Sequence, residues 1–327
     1  MKIVLLHTHD AVVPPADPVL AQLEAALSAA EHHVTRLEVD REVLPLVETL
    51  QRVKPDLVVN IAESFDGKSA LESNVAALLN LLHLRYTGSS PAGLILAGDK
   101  TLTKKVLNFH EIQTPKFASL FRGALDHAQD LKFPVIVKPP QEDASLGVTA
   151  KSVVHDISQL LEQIGSIQTE FKSPVLLEEF IDGREYYVAV LGNVDVEALP
   201  IIELDFSGFP PDKPKIASWE AKWGDDGAGS GAEFAGTKSL FPENLGEELT
   251  ARIKKVAIEC FHALRLRDYA RIDLRVTDAG EIYVIEVNPN CYLEKESEFA
   301  SAAAKAGITY DALIARIVEL ANGRYSR

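Results

Sequence analysis

Residues 269–288 constrain the fold more than any other stretch of this chain. Tyr269 to Val276 and Glu281 to Asn288 alternate apolar with polar side chains on either side of Ala279-Gly280, which predicts two antiparallel strands joined by a tight turn. With Ala279-Gly280 as a two-residue loop, Asp273 stands opposite Glu286 and Arg271 opposite Asn288 on one face. Ile272, Leu274 and Val276 then share the other face. Directly opposed carboxylates have Cβ atoms about 4.5–5.5 Å apart and repel, a cost that a cation between them removes. Two carboxylates and an amide form an all-oxygen set suited to Mg²⁺, with Mn²⁺ as its substitute. A solvated hairpin face in a slipped register is the alternative reading of the same residues.

Composition narrows what that hairpin serves. The chain has 327 residues, about two domains' worth, with 46% hydrophobic and 25% charged side chains, as in ordinary globular proteins. A formal charge of −15 repels phosphate backbones and anionic bilayers, so nucleic-acid and membrane partners are disfavoured. No run approaches the roughly 18 apolar residues that cross a bilayer, and Met1-Lys2 leads into only Ile3 to Leu6, which reads as a first strand and not a leader peptide. Cys260 and Cys291 make neither a disulfide framework nor a zinc set, so a cytoplasmic location is expected. The nine histidines are scattered and carry no metal assignment.

From residue 1 to 98 strands at Lys2 to Thr8, Val34 to Val39 and Asp56 to Ala62 alternate with helices, which predicts a small parallel sheet. Asp17 caps the first helix, with Pro18 at its first position and Leu20, Leu23, Leu27 and Ala30 at helical spacing. The loop from His7 to Pro15 has no glycine, against a dinucleotide site there. After Tyr86-Thr87-Gly88, Asp99 caps a new helix and a second domain begins. Strand-like runs follow at Phe133 to Lys138, Pro174 to Ile181, Glu185 to Leu191 and Val194 to Ile202, the last two joined at Gly192-Asn193. Glycines at 224, 227, 229 and 231, mixed with Asp225 and Asp226, suggest a mobile loop over a site. A long helix from about Pro242 to Leu266 precedes the hairpin.

Lys138 ends an apolar strand beside the loop Ser145-Leu146-Gly147-Val148, where it either snorkels to water or reaches phosphate as a point charge. Glu178-Glu179-Phe180-Ile181 follows another apolar run and by itself reads as an edge strand entering the turn at Asp182-Gly183. Taken in order, these pieces with Asp99-Lys100 to Lys104, Glu220-Ala221-Lys222, Arg271-Ile272-Asp273 and Glu286-Val287-Asn288 resemble the ATP-grasp superfamily, in its D-alanine–D-alanine ligase branch.

The resemblance runs nearly end to end. It implies an α/β and α+β chain in which a Rossmann-like N-terminal domain, residues 1–98, precedes a two-lobed ATP-grasp domain divided into residues 99–183 and 184–327. It implies that Lys104 and Lys138 hold ATP phosphates, with Ser145 also at the cofactor, that Glu178 receives the adenine amino group, that Phe180 and Ile181 line the base beside Glu179, also cofactor-binding, and that Glu185 holds the ribose. Asp273, Glu286 and Asn288 would bind the metal, Arg271 and Lys222 would meet the transferred phosphoryl group, and Ser297 would grip a carboxylate of the second substrate. The implied reaction joins a small-molecule carboxylate to an amine through an acyl phosphate, giving ADP and phosphate, under a lid at residues 224–231. A homodimer through the N-terminal domain is typical of the family.

Four features depart from that pattern. The first loop has Asp10 as its nearby acid where the family has a glutamate, and Asn60 stands in place of a histidine. Trp223 and Ala144 replace a tyrosine and serine that lock the lid, so that lock is expected to be lost. Pro289 to Leu293 replace a threonine and a proline-glycine pair. Cys291 has no basic neighbour in sequence, which argues against a nucleophile. D-alanine–D-alanine ligase itself, and a regulatory module that closes on ATP without catalysis, remain as alternatives.

Overall fold

The computed structural model describes residues 1–8, 18–121, 123–171, 174–224 and 229–325. The expected roles of Asp10, of Asp17 as a cap and of Asp225, Asp226 and Gly227 in the lid lie outside those residues. Strand β1 (Lys2–Thr8), helix α1 (Pro18–Ala29), β2 (His33–Val39), α2 (Val43–Val53) and β3 (Leu57–Ile61) form a parallel sheet of order β2-β1-β3. Ile3 and Leu5 point to one face of it and Val4 and Leu6 to the other, all buried, as expected of a sheet covered on both sides. Helices α3 (Glu72–Leu81) and α4 (Pro91–Gly98) complete this part.

Helix α5 (Lys100–Phe109) begins at Asp99, whose Oδ1 accepts from the backbone N–H groups of Thr101 and Leu102 at 2.9 and 3.1 Å, the cap foreseen from sequence. Next come β4 (Phe117–Phe121), β5 (Ala124–Ala128), β6 (Val135–Lys138), β7 (Val153–Val154), α6 (Ile157–Glu170) and β8 (Val175–Glu179). They make an antiparallel sheet of order β5-β4-β8-β6-β7 with α6 against it. The third sheet is built from β9 (Arg184–Gly192), β10 (Val196–Ala198), β11 (Ile202–Asp205), β12 (Lys238–Leu240), β13 (Asp268–Val276) and β14 (Ile282–Asn288). Short helices α7 (Trp219–Trp223) and α8 (Ala232–Ala235) interrupt it, α9 (Glu247–Ala263) covers one face, and α10 (Glu298–Lys305) and α11 (Tyr310–Arg324) close the chain.

Two expectations need correction. The run Val194 to Ile202 is not one strand: Pro200 lacks the N–H for a ladder and separates β10 from β11, and the connection from β9 is Asn193-Val194-Asp195. Asn193 is drawn out of a two-residue turn because its amide donates to Asp268 Oδ1 at 2.9 Å and its Oδ1 accepts the Asp268 N–H at 3.0 Å. The hairpin at 269–288 also turns differently. Thr277 and Glu281 still pair across a loop of Asp278-Ala279-Gly280, and a β-bulge between Asp273 and Leu274 then shifts the register by one. Beyond the bulge Asp273 faces Glu286 and Arg271 faces Asn288, the pairing expected, reached by a different turn.

Fully buried Asp268 accepts from Arg324 Nε and Nη2 at 2.9 and 2.8 Å, from Gly88 N–H at 2.8 Å and from Asn193, tying α11 and the loop before α4 to the third sheet. Replacing Asp268 by Ala strands the largely buried Arg324 guanidinium, and a loss of about 3–5 kcal/mol in stability is expected. Urea unfolding of the variant against the parent measures it.

Candidate active site

A cleft opens between β6 and β8 on one side and β13 and β14 on the other, with apolar and charged side chains converging on it, as in small-molecule sites. Its apolar end is formed by Pro115, Ile136, Phe180, Ile181 and Ile285, and most of the remaining lining is charged. The bulge puts Ile285 and Glu286, consecutive in sequence, on the same cleft-facing side of β14, while Val284 and Val287 enter the core.

Asp273 is held by Arg271, whose Nε and Nη2 donate to its two oxygens at 2.8 and 2.9 Å, and Asn288 Nδ2 donates to it at 3.0 Å. Burial raises the Asp273 carboxyl above its ordinary range despite Arg271. Glu286 lies 2.7 Å from Lys100 Nζ. Its burial works the other way, yet Lys100, Lys222 and Lys138 hold it down at about 2. Among the described residues no three His, Cys, Asp or Glu side chains converge as a closed metal cage. Two carboxylates and the Asn288 amide oxygen nevertheless fit a hard divalent ion that leaves positions open for phosphate oxygens.

The cations form two layers. Lys100 lines the cleft, donates to the Glu142 carbonyl at 2.6 Å and lies 3.8 Å from Asp143. Lys138 also lines it, whereas Lys104 sits behind, and their ammonium groups lie 3.1 and 3.2 Å from Glu178 Oε1. Neither Lys104 Nζ nor that oxygen has a partner in line for a hydrogen bond, so two buried cations share one anion imperfectly. Burial draws Lys104 down to about 8, with Lys138 adding to the effect. A polyphosphate at the open edge of this group meets surplus positive charge in a dry setting.

Nearer the apolar end, Glu185 accepts from Arg275 Nε and Nη2 at 3.1 and 2.8 Å and from the Tyr187 hydroxyl at 3.2 Å. Arg275 also donates to the Ile181 carbonyl at 2.8 Å and stacks over Phe180, fixing the segment from Phe180 to Ile181. Glu179 lines the cleft and accepts the Lys132 N–H at 2.9 Å. Lys222, on α7, lines the cleft and makes no ion pair among the described residues. Ser297 lies apart from the cleft lining: it caps α10, accepting from Ala300 N–H, and gives its hydroxyl hydrogen to the Tyr292 carbonyl at 3.1 Å.

The expected loss of the lid lock is overturned. Trp223 Nε1 donates to the Ala144 carbonyl at 3.0 Å, so an indole and a backbone oxygen join the same two segments without any side-chain oxygen at 144. Ser145 Oγ donates to the Ala217 carbonyl at 2.6 Å, and the Trp219 N–H to the Val148 carbonyl at 2.9 Å. Ala144 and Ser145 both have positive φ, 54° and 63°, a conformation this bonding pins. At Gly147, with φ of 77°, a Cβ would come within 2.9 Å of Phe171.

Sequence reasoning missed Lys100, Arg275, Tyr187 and Glu298. Lys100 carried a signal, since it directly follows the cap Asp99 and so begins its helix at a fixed point. Arg275 did too, lying two residues from Asp273 on the same strand face. Cys291 is buried and its thiol is pushed up to about 12 by burial, which removes it as a nucleophile.

A family model described as the D-ala D-ala ligase C-terminus matches residues 105–319. Over 316 residues the chain is 33% identical to a protein of Sinorhizobium fredii named "Uncharacterized protein y4sG", covering 95% of this chain and 89% of that one. It is 31% identical over 299 residues to the D-alanine–D-alanine ligase of Syntrophotalea carbinolica, covering 90% and 88%. The crystal structure of the Bacillus anthracis D-alanine–D-alanine ligase complexed with ATP superimposes with a TM-score of 0.74 at 25% identity, covering 98% of this chain and 97% of that one.

Because Lys104 is half neutral near pH 8 and phosphate favours its charged form, nucleotide binding is expected to take up a proton and to weaken as pH rises through 8. Calorimetric titration with ATP in buffers of different ionisation enthalpy measures that uptake. In the nucleotide-free protein the same group adds stability as pH rises from 8 toward 10.5, where the unfolded lysine still holds its proton. The Trp223 bond makes a second expectation: in a Trp219→Phe background, Trp223 fluorescence shifts when Mg²⁺ and ATP bind, and an unchanged spectrum at saturation removes α7 from the closing segment. Fold, cleft and comparisons agree, and this chain belongs to the D-alanine–D-alanine ligase branch of the ATP-grasp superfamily, as an ATP-dependent ligase that forms a carbon–nitrogen bond.

Proposed function

We propose that the protein joins a small carboxylate to an amine through an acyl phosphate, with the nucleotide in the cleft between β6, β8 and β13, β14. The observation that carries this reading is the line of charge along the cleft: Lys138 and Lys100, then the facing Asp273 and Glu286, with Arg271 holding Asp273 from beyond the lining. The adenine ring fits the apolar end between Ile136, Phe180, Ile181 and Ile285, with Glu178 toward its amino group and Glu185 toward the ribose hydroxyls. Lys100, Lys138 and, from behind, Lys104 balance the phosphates. Asp273, Glu286 and Asn288 hold Mg²⁺, which when bound neutralises charge on the phosphate oxygens.

In the reaction a carboxylate oxygen attacks the γ-phosphorus and the bond to the β-phosphate oxygen breaks, releasing ADP. The amine then attacks the carbonyl carbon, loses a proton, and phosphate leaves with the bonding pair. Lys222, which lines the cleft, meets the charge of the transferred group, with Arg271 acting through the Asp273 it holds, and phosphoryl transfer is mostly positioning and charge neutralisation. The closed lid keeps water from the acyl phosphate. A module that only closes on nucleotide would need no Arg271, Asp273, Glu286 and Asn288 together, which disfavours the regulatory reading. A cytoplasmic homodimer is part of the proposal, and among the described residues no helix is long and apolar enough to cross a membrane.

The test is ADP and phosphate release against a panel of carboxylates and amines, singly and in pairs. Glu286→Gln is expected to leave the fold intact and to lower Mg²⁺-dependent turnover by about a hundredfold or more, since a metal contributes several kcal/mol at roughly tenfold per 1.4 kcal/mol. Full activity of that variant at ordinary Mg²⁺ overturns the metal assignment.

A further inference from the structure

One face of β13 lines the cleft at Arg275 and Asp273 and continues past that lining to Arg271 and the buried Tyr269, in steps of roughly 6.7 Å. Arg275 belongs to the apolar end through Phe180 and Ile181, and Asp273 to the facing carboxylates. Arg271 comes next, and beyond it the Tyr269 hydroxyl donates to Asn290 Oδ1 at 2.8 Å. With the nucleoside at the Arg275 end, an amine that attacks the acyl carbon approaches from the Arg271 end. The charges there therefore select the amine.

Arg271 has little charge left to offer. Its Nε and Nη2 are bound to Asp273, its plane lies 4.6 Å over the Tyr187 ring, and its remaining Nη1 is 3.6 Å from Glu298 Oε2. Glu298 opens α10, and its other oxygen accepts from Ser239 Oγ at 3.1 Å. Burial opposes its ionisation, but Arg271, the Glu298 backbone N–H, Ser239 and Lys222 together hold its carboxyl below the ordinary range. Two features that could receive a substrate carboxylate here, the free edge of a guanidinium and the first turn of a helix, already face the chain's own carboxylate, and the remaining cation, Lys222, acts on Glu298 as well and is assigned above to the transferred phosphoryl group. Ser297, next in line, has given its hydroxyl hydrogen to Tyr292. Past Tyr269, Asn290 Nδ2 donates to the buried Glu72 at 2.9 Å, and burial holds that carboxyl well above its ordinary range, so it adds no cation to this end.

We propose that Glu298 is a specificity determinant of the ligase, excluding amines that carry a carboxylate at this end and admitting amines whose second group is cationic, as in a diamine. The proposal rests on the ligase reading and names the class of its amine. It assigns Glu298 contact with the substrate's distal ammonium.

The test uses the full chain with Mg²⁺ and a non-hydrolysable ATP analogue, titrated calorimetrically with 1,4-diaminobutane and with D-alanine. The parent is expected to bind the diamine at least tenfold more tightly than D-alanine. Glu298→Gln, which keeps a group for Ser239 to bond, is expected to weaken the diamine at least tenfold and to strengthen D-alanine, and Glu298→Asp to restore most of the diamine affinity. D-alanine binding the parent as well as the diamine does, or a Gln variant with both affinities unchanged, overturns the proposal while leaving the ligase reading in place. If the parent, titrated beforehand with the ATP analogue and Mg²⁺ alone, does not bind it, the ligase reading itself fails and the proposal goes with it.

Discussion

Two carboxylates on neighbouring strands repel each other, and the arrangement of the site is organised around holding Asp273 and Glu286 together. Each has its own cation, Arg271 for one and Lys100 for the other, and both pairs are almost out of solvent. The two acids are not equivalent: burial raises Asp273, whereas Lys100 and its neighbours keep Glu286 fully ionised. If a divalent ion binds both carboxylates, as proposed above, it would displace Lys100 from Glu286, and the freed ammonium would have the cleft as its nearest destination. Metal and nucleotide would thereby be linked through one side chain, placed at the start of α5 by the Asp99 cap.

The facing of Asp273 and Glu286 was legible in sequence, but the reasoning that reached it used a turn the chain does not make. A two-residue loop and a three-residue loop with a bulge bring the same residues together. The spacing Ile282, Val284, Val287 contains the distinction, because core residues three apart on a strand require one extra residue, and Ile285 is that residue. The strands of the first sheet and the Asp99 cap were readable because their signals are local. The roles of Tyr187, Arg275 and Glu298 were not, since each comes from a partner far along the chain: Arg271 on β13 for Tyr187, Glu185 on β9 for Arg275, and Arg271 again, 27 residues before it, for Glu298.

The lid shows how a contact can survive the loss of the side chains that usually make it. Ala144 has no polar side-chain atom, yet its left-handed backbone turns the carbonyl toward the indole of Trp223. Backbone carbonyls are available at every residue, so reading only side-chain chemistry from a sequence underestimates which closures a loop can form.

The distribution of apolar clusters has a consequence for how the cleft opens. One cluster joins β1, β3 and α1 to β9, α10 and α11, so the first and third sheets share a core. A second holds α5 and α9 to β9, β13 and β14. The sheet of β4 to β8 with α6 has a core of its own, drawn wholly from residues 118–177. What binds that sheet across the cleft is polar: the Trp223, Ser145 and Trp219 bonds and the ion pair of Lys104 with Glu178. Swinging it open exchanges these contacts for water without exposing a hydrophobic core, so the motion carries little change in heat capacity and its equilibrium varies only gently in slope with temperature.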